Sequence, residues 1–258
     1  MQKYYFFLNF ASVIWIFRQK IVTLHANCIL GNMTNKELYH EFCLKNSELP
    51  LFMTDWWLDA VCAGKHWDVL LSHDEQGTIQ AALPYLLRKR VWMKYIVMPQ
   101  QTQIGGIWLR EDIANDTDKT ATVCQQFAQQ LSELGLHYYY QHYAINSVAV
   151  EQMQQLGFKI KERVTYRIED LSNLDKVIAS FSKNKKRQLQ KALSLHADTN
   201  LNVEDFYRFH VKCLQEQGKQ ISYSREFLLV LERKARRMNQ CQILSICNAD
   251  SEMLAAAF

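Results

Sequence analysis

The sequence predicts an α/β (α+β) protein of two domains with mixed, mainly antiparallel sheets, and three observations carry that expectation. At 258 residues the chain exceeds the roughly 100–150 residues typical of one domain. Its apolar residues alternate between helical spacing and short runs of strand character. A hairpin-like stretch also occurs twice. Placing Trp67 over Cys241, an offset of 241 − 67, or 174, residues, aligns DVLLSHDEQGTIQAALP with QILSICNADSEMLAAAF without a gap. Val69 then meets Ile243, Leu70 meets Leu244, Asp74 meets Asn248, Ile79 meets Met253, and Ala81-Ala82 meets Ala255-Ala256. Helical patterns precede both hairpins, and the shared order predicts two copies of one unit.

Taken in order, Thr34 opens a regular pattern in which Leu38 and Phe42 share a helical face. Trp57, Leu58, Val61 and Cys62 mark a second helix behind Thr54 or Asp55 as cap. A strand over 67–72, a turn Asp74-Glu75-Gln76-Gly77 and a return strand over 78–87 form the first hairpin. Pro84, which cannot donate to a ladder, is expected at a bulge or an edge. A further strand follows over 91–98. Cys124, Phe127, Ala128, Leu131 and Leu134 keep helical spacing up to Gly135, placed as a C-cap glycine. His137–Tyr143 reads as an aromatic strand, and Val150, Met153 and Leu156 as a short helix ending at Gly157. In the strand after it, Phe158, Ile160, Val164, Tyr166 and Ile168 are expected on one side, with Lys159, Lys161, Arg163, Thr165 and Arg167 on the other. The second half holds helices over 174–196, with a break near Ser182, then over 203–217 and 224–238, before the second hairpin.

Domain boundaries follow: residues 1–32 as an extension outside the fold, 33–170 as the first domain and 171–258 as a partial second one. Tyr4 to Phe17 is apolar and aromatic, but shorter than the about 20 residues a membrane span needs. His25-Ala26-Asn27-Cys28 is a poor cleavage site, so the segment is read as sequence upstream of a start at Met33 rather than as a signal peptide. Because the second copy stops inside its second strand, the chain is expected to be truncated, to lack turnover and to associate through an apolar edge. A cytoplasmic location without a membrane span is expected.

Composition excludes several classes. Hydrophobic residues make up 48% and charged ones 22%, which is globular rather than disordered. A net charge of +4 is too mild for a DNA-binding domain. The seven cysteines are scattered without a C-x-x-C pair, and the eight histidines do not gather at ligand spacing. Neither a disulfide framework nor a metal is expected.

Two segments carry a resemblance. Phe52-Met53-Thr54-Asp55-Trp56-Trp57 resembles F-Q-S-x-x-W, with Phe52, Thr54 in place of Ser, and Trp57 fitting, and Met53 replacing Gln. Lys186-Arg187-Gln188-Leu189-Gln190-Lys191-Ala192 is similar to R-R-N-I-x-K/R-A, preceded by Lys185 where Thr is common. Together with the order of elements, they make the chain over 33–258 resemble the FemAB family, built from tandem acyl-CoA N-acyltransferase (GNAT) domains. Members of that family transfer aminoacyl groups from tRNA onto peptidoglycan precursors, and relatives in the superfamily use acyl-CoA. The resemblance implies a transferase whose donor, acyl-CoA or aminoacyl-tRNA, is a co-substrate and not a tightly bound cofactor. In this fold the donor lies where two central parallel strands splay. The partner implied is a cell-wall precursor or another small polar substrate. No charged heptad arm for tRNA stands out over 172–258, which favours a small donor.

The resemblance implies that the basic segment contacts the diphosphate of a nucleotide-linked precursor, with Arg187 foremost and Lys183, Lys186 and Lys191 beside it; Thr54 and Trp57 complete the implied substrate set. Lys183, Arg187 and Lys191 fall at i, i+4 and i+8, one cationic stripe that suits phosphate oxygens. Leu189, Ala192, Leu193 and His196 are expected to pack on the core from another face. The competing reading of the stripe is a solvated basic face. QTQIGG over 101–106 lacks the spacing of a CoA-binding glycine loop and reads as a structural turn. Tyr138, Tyr139 and Tyr140 with His137 and His142 offer the lining of a substrate groove, but aromatic strand residues are more often core and most of them are assigned there. Asp55, Asp59 and Asp68 are carboxylates with no sequence sign of a perturbed environment, so no catalytic residue is assigned. The function from a different class is a non-catalytic remnant that binds an anionic partner.

Overall fold

The computed structural model describes residues 2–7, 33–62, 67–166, 168 and 170–258. The chain is α+β with mixed, mainly antiparallel sheets, and divides into two compact units, Met1–Thr165 and Tyr166–Phe258.

In the first unit, α1 (Asn35–Lys45) begins with a capping box. Thr34 accepts from the Glu37 N–H through its side chain, while the Glu37 carboxylate accepts from the Thr34 N–H. The residue that α1 buries completely is Tyr39, whose hydroxyl donates to the Met53 carbonyl at 2.7 Å. Leu38 and Phe42 are half-buried beside it. α2 (Asp55–Cys62) buries Trp57, Leu58, Ala60, Val61 and Cys62.

Strands β2 (Trp67–His73), β3 (Ile79–Arg90), β4 (Met93–Val97) and β6 (Tyr138–Tyr139) lie in that order in one sheet, with β5 (Trp108–Leu109) also on β3. All pairs are antiparallel except β4 with β6. The strand expected over 91–98 starts at Met93, because Val91 and Trp92 form the turn out of β3. After α3 (Glu111–Ala114), α4 (Thr117–Glu133) is capped by Asp116, which accepts from the Asp118 and Lys119 N–H groups. It sends Val123, Cys124, Phe127 and Leu131 into a core shared with Leu83, Tyr85, Ile96, Tyr139 and Met153, the last from α5 (Ala149–Gln155).

The expected strand over 137–143 is two strands. β6 joins the main sheet, whereas β7 (His142–Tyr143) joins a second sheet of order β7-β1-β8, with β1 at Gln2–Phe7 and β8 at Lys159–Val164. Contrary to the expectation for 1–32, β1 thus fills the place between two strands that each offer an unpaired edge. Residues 8–32 lie outside the described ones. The apolar side expected along 158–168 is buried only at its start. Phe158 is in the core and Ile160 packs against it, but Val164, Tyr166 (94% exposed) and Ile168 face solvent, since no described element covers that side. Arg167 lies outside the described residues.

In the second unit, α6 (Leu174–Ser180) stops at extended Phe181, and Ser182 caps α7 (Lys183–Lys191), so the break falls where the sequence placed it. A 3-10 turn leads to β9 (His196–Asp198), which shortens the helical region expected up to 196. α8 (Val203–Glu216) and α9 (Arg225–Arg237) are capped by Asn202 and Ser224. β10 (Leu244–Cys247) is central in a sheet of order β11-β10-β9, with β11 at Met253–Ala257. Leu201, Val203, Phe206, Leu228 and Ile243 form the core of this unit.

The two hairpins repeat one another in detail. Leu71 pairs with Ala82, Ser72 with Ala81 and His73 with Ile79, with a register shift between Ser72 and His73. At the 174-residue offset, Ser245 pairs with Ala256, Ile246 with Ala255 and Cys247 with Met253, shifted between Ile246 and Cys247. The Asp74 N–H donates to the Thr78 carbonyl (2.9 Å), as the Asn248 N–H does to Glu252 (3.0 Å). Asp74 Oδ1 accepts from the N–H groups of Gln76 (3.1 Å) and Thr78 (2.8 Å); Asn248 Oδ1 accepts from those of Asp250 (3.1 Å) and Glu252 (2.8 Å). Even the left-handed residue matches: Gly77 at φ +79° and Ser251 at +62°.

Candidate functional site

The parallel pair β4–β6 opens almost as soon as it forms. Tyr95 stands opposite Tyr138 and Ile96 opposite Tyr139, and the Tyr140 N–H still donates to the Ile96 carbonyl at 3.0 Å. Beyond that point the first strand turns away at Pro99 while the second crosses into β7. Gln141, 2% exposed, fills the opening. Its Nε2 donates to the Pro84 carbonyl at 2.9 Å and its Oε1 accepts from the Gly106 N–H at 2.5 Å.

Pro84 explains why a gap exists there. In an antiparallel strand the N–H and C=O of one residue point to the same side. The Pro84 carbonyl faces Gln141, so its nitrogen, which has no hydrogen to donate, faces the same way. On that side β3 pairs with β5 at Ala81 and Ala82 and with β4 only from Leu86 onwards. Pro84 therefore stands in a gap of the ladder and not at a bulge.

The loop over 100–106 is pinned at both ends. At one end the Trp57 indole N–H donates to Thr102 Oγ1 at 3.0 Å. At the other, the Gly105 N–H donates to the His142 carbonyl at 2.7 Å, and Gly106 adopts φ +83° with its α-carbon against Tyr143. A Cβ on Gly106 would lie 2.8 Å from that ring. The QTQIGG stretch is thus a packed turn. Tyr139 and Tyr143 are buried with hydroxyls 3.3 Å apart, and burial pushes both phenols well above the ordinary range. Tyr140 and His142 are partly exposed and joined by a 2.9 Å hydrogen bond.

Of the two substrate residues implied in this unit, Trp57 is buried, with the Phe52 ring edge-on at 4.9 Å. Thr54 donates to the Leu51 carbonyl at 2.8 Å, shaping the entry to α2. Trp57 thus ties α2 to the loop over 100–106 through Thr102, and Thr54 holds the turn before α2.

The carboxylates of α2 face α1. Asp55, nearly buried, pairs with Nδ1 of His40, whose imidazole is largely exposed. Cys43 lies beside Asp55, and burial pushes its thiol up to about 12. Asp59 accepts from the Trp67 indole at 2.9 Å and stands 3.5 Å from the Lys36 ammonium, which lies 4.1 Å over the Trp67 ring. Lys36, His40, Asp59 and Trp67 line a cleft of about 450 Å³. An imidazole oriented by a buried carboxylate is suited to take a proton from an incoming amine. Sequence spacing did not single out His40, because its partner lies on another helix. Asp68 accepts from the Val69 N–H and lies near Tyr85, whose phenol is raised by burial and further by the Asp68 charge.

In the second unit, Lys183, Lys186, Arg187 and Lys191 are all exposed on α7. Lys186 donates to the Ala179 carbonyl at 2.8 Å, closing the end of α6. Leu189, Ala192, Leu193 (72% exposed) and His196, expected on the core, face solvent as well, because the core of this unit is built by α8, α9 and the hairpin. Among the described residues no group of three or more His, Cys, Asp or Glu side chains is placed to hold a metal ion, and no helix is long and apolar enough to cross a membrane.

Among solved structures, the chain superposes on the crystal structure of FemX with a TM-score of 0.51, over 84% of this chain, at 13% identity. In fold, the chain is similar to FemX. It spans 57% of the FemX chain. No family model and no curated protein matches the sequence.

Proposed function

We propose that this protein is an acyl- or aminoacyltransferase that acts on an amine carried by a nucleotide-linked cell-wall precursor. The observation that carries the reading is the FemX-like fold over 84% of the chain, joined to the two segments that resemble the FemAB family. Chemically, a neutral amine attacks the carbonyl of a thioester or tRNA ester, a tetrahedral intermediate forms, and the thiol or ribose hydroxyl leaves. Such catalysis rests on positioning and on polarising the carbonyl, without a covalent enzyme intermediate. Arg187, flanked by Lys183 and Lys191, binds the diphosphate, whose oxygens match the guanidinium fork.

The opening between β4 and β6, where a donor would lie in this fold, is filled in the first unit by Gln141. That argues against a donor site at the opening of the first unit. The test is calorimetric titration of the chain with a UDP-linked muropeptide, and a transfer assay with acetyl-CoA and with aminoacyl-tRNA as separate donors. Muropeptide binding that depends on Arg187 supports the reading. No muropeptide binding together with no transfer from either donor would overturn it.

A further inference from the structure

The turn between β3 and β4 has a composition that neither the fold nor the proposed transfer requires. From Thr78 to Arg110 the sequence contains no Asp or Glu, and Arg88, Lys89, Arg90 and Lys94 cluster around Val91, Trp92 and Met93. Val91 is 91% exposed and Trp92 72% exposed, the tip of the hairpin. Lys89, Arg90 and Lys94 are exposed beside them, and Lys94 also donates to the Leu134 carbonyl at 3.2 Å. Glu133, the acidic residue next to that carbonyl, is bonded to Gln129. Val91, and Trp92 with its ring edge-on to His137 at 4.9 Å and its outer face in water, are ringed by cations and form a surface with a partner's chemistry written on it.

Backbone geometry adds a second observation. Val91 has φ +54°, in the left-handed region that a β-branched residue rarely enters. Gly or Asn would fit the turn without that strain, yet an aliphatic side chain is held there and aimed outward. The partner is therefore one that uses an aliphatic group at the leading point. A nucleic acid would use Trp92 for stacking and the cations for phosphate, but would gain little from Val91, which has no π-face and no hydrogen-bonding group. A bilayer surface uses all three. Valine and tryptophan enter the boundary between headgroups and acyl chains, and the lysines and arginines meet anionic headgroups.

We infer that the β3–β4 hairpin tip, Lys89 to Lys94, docks the protein on anionic membrane surfaces. It lies at the opposite end of β4 from the Gln141 opening, about 20 Å away at roughly 3.4 Å per residue. Docking at the tip therefore leaves that opening free.

The experiment is co-sedimentation of the full chain with phosphatidylcholine vesicles, with and without phosphatidylglycerol. Binding to the anionic vesicles alone is expected, weakening as salt rises. A V91N/W92S variant and, separately, a K89S/R90S variant should each lose roughly tenfold or more in vesicle affinity. Their melting temperatures should not fall, because the tip is exposed and Asn tolerates the left-handed turn. Absence of binding to anionic vesicles, or binding unchanged in both variants, would overturn the inference. So would tip-dependent binding of a transfer RNA without any binding to vesicles.

Discussion

Asp74 and Asn248 occupy the same position in two hairpins, and each closes its turn by accepting two backbone N–H groups through Oδ1. Their environments differ in charge. The second carboxylate oxygen of Asp74 accepts from Arg110 at 2.8 Å, whereas the Asn248 amide donates to Glu252 at 3.2 Å. One backbone device has been kept in both copies, and an ion pair has been attached to it in only one.

That difference sets an expected pH dependence. The hydrogen bond from Arg110, followed by that from the Thr78 N–H, holds the Asp74 carboxyl below the usual carboxylate range. Its contribution to stability is present above the unfolded value of about 3.9 and is lost as pH falls through the lower folded value. Urea midpoints measured from neutral pH down to strong acid should fall less steeply for Asp74→Asn than for the wild type. Parallel curves would remove the pair from any role in acid sensitivity.

The left-handed turn residues make a reciprocal test. Ser251 carries a Cβ at φ +62° where Gly77 has none at +79°. A left-handed L-residue costs about 1–2 kcal/mol, offset in part by the about 0.5–1 kcal/mol of chain freedom that glycine loses on folding. Ser251→Gly should therefore stabilise the second unit by up to about 1 kcal/mol. Gly77→Ser, with open space around its Cβ, should destabilise the first by a similar amount. Denaturant midpoints that move in the opposite directions would contradict the matched turns.

A heavier penalty is expected at Gly106. Alanine there meets the left-handed backbone and also a Cβ contact of 2.8 Å with the buried Tyr143 ring. Overpacking of this kind costs about 1–3 kcal/mol beyond the backbone term. Gly106→Ala should thus lower the melting temperature clearly more than Gly77→Ala, and equal shifts would show that the loop over 100–106 yields freely.

Replacing Gln141 by leucine should be costly despite the similar volume. The Pro84 carbonyl and the Gly106 N–H would both be left buried and unpaired, at about 1–3 kcal/mol each. A loss of several degrees in melting temperature is expected. A leucine variant as stable as the wild type would mean that the opening admits water.

Arg187→Ala addresses the proposed function directly. Charge-assisted contacts contribute about 1.5–3 kcal/mol, so muropeptide affinity should fall by roughly one to two orders of magnitude. The exposed position predicts an unchanged melting temperature. Affinity that does not move would leave α7 as a solvated helix.

Local features were legible in the sequence because local chemistry builds them. Thr34 and Glu37 box the first helix, Ser182 interrupts the long helical region, and the hairpin repeat predicted two turns that match bond for bond. What escaped depended on distant partners. The apolar side from Phe158 to Ile168 has the right period for a buried strand, but period does not say what covers a face. Tyr139 and Tyr143 look like one strand, and only the gap at Pro84, far upstream, shows why the chain leaves one sheet for another. Gln141 and the His40–Asp55 pair carried no signal of spacing, since their partners lie in other elements. Trp57 bonds the Thr102 side chain and Thr54 the Leu51 carbonyl, while the α7 cations are exposed.

The pairing of β1 with β8 has a consequence for how the protein is made. Gln2–Phe7 leaves the ribosome well before Lys159–Val164, its partner, which follows about 150 residues later. At about 5–20 residues per second, the leading strand waits roughly ten to thirty seconds for one neighbour. During that interval a chaperone, or another nascent chain, can claim it.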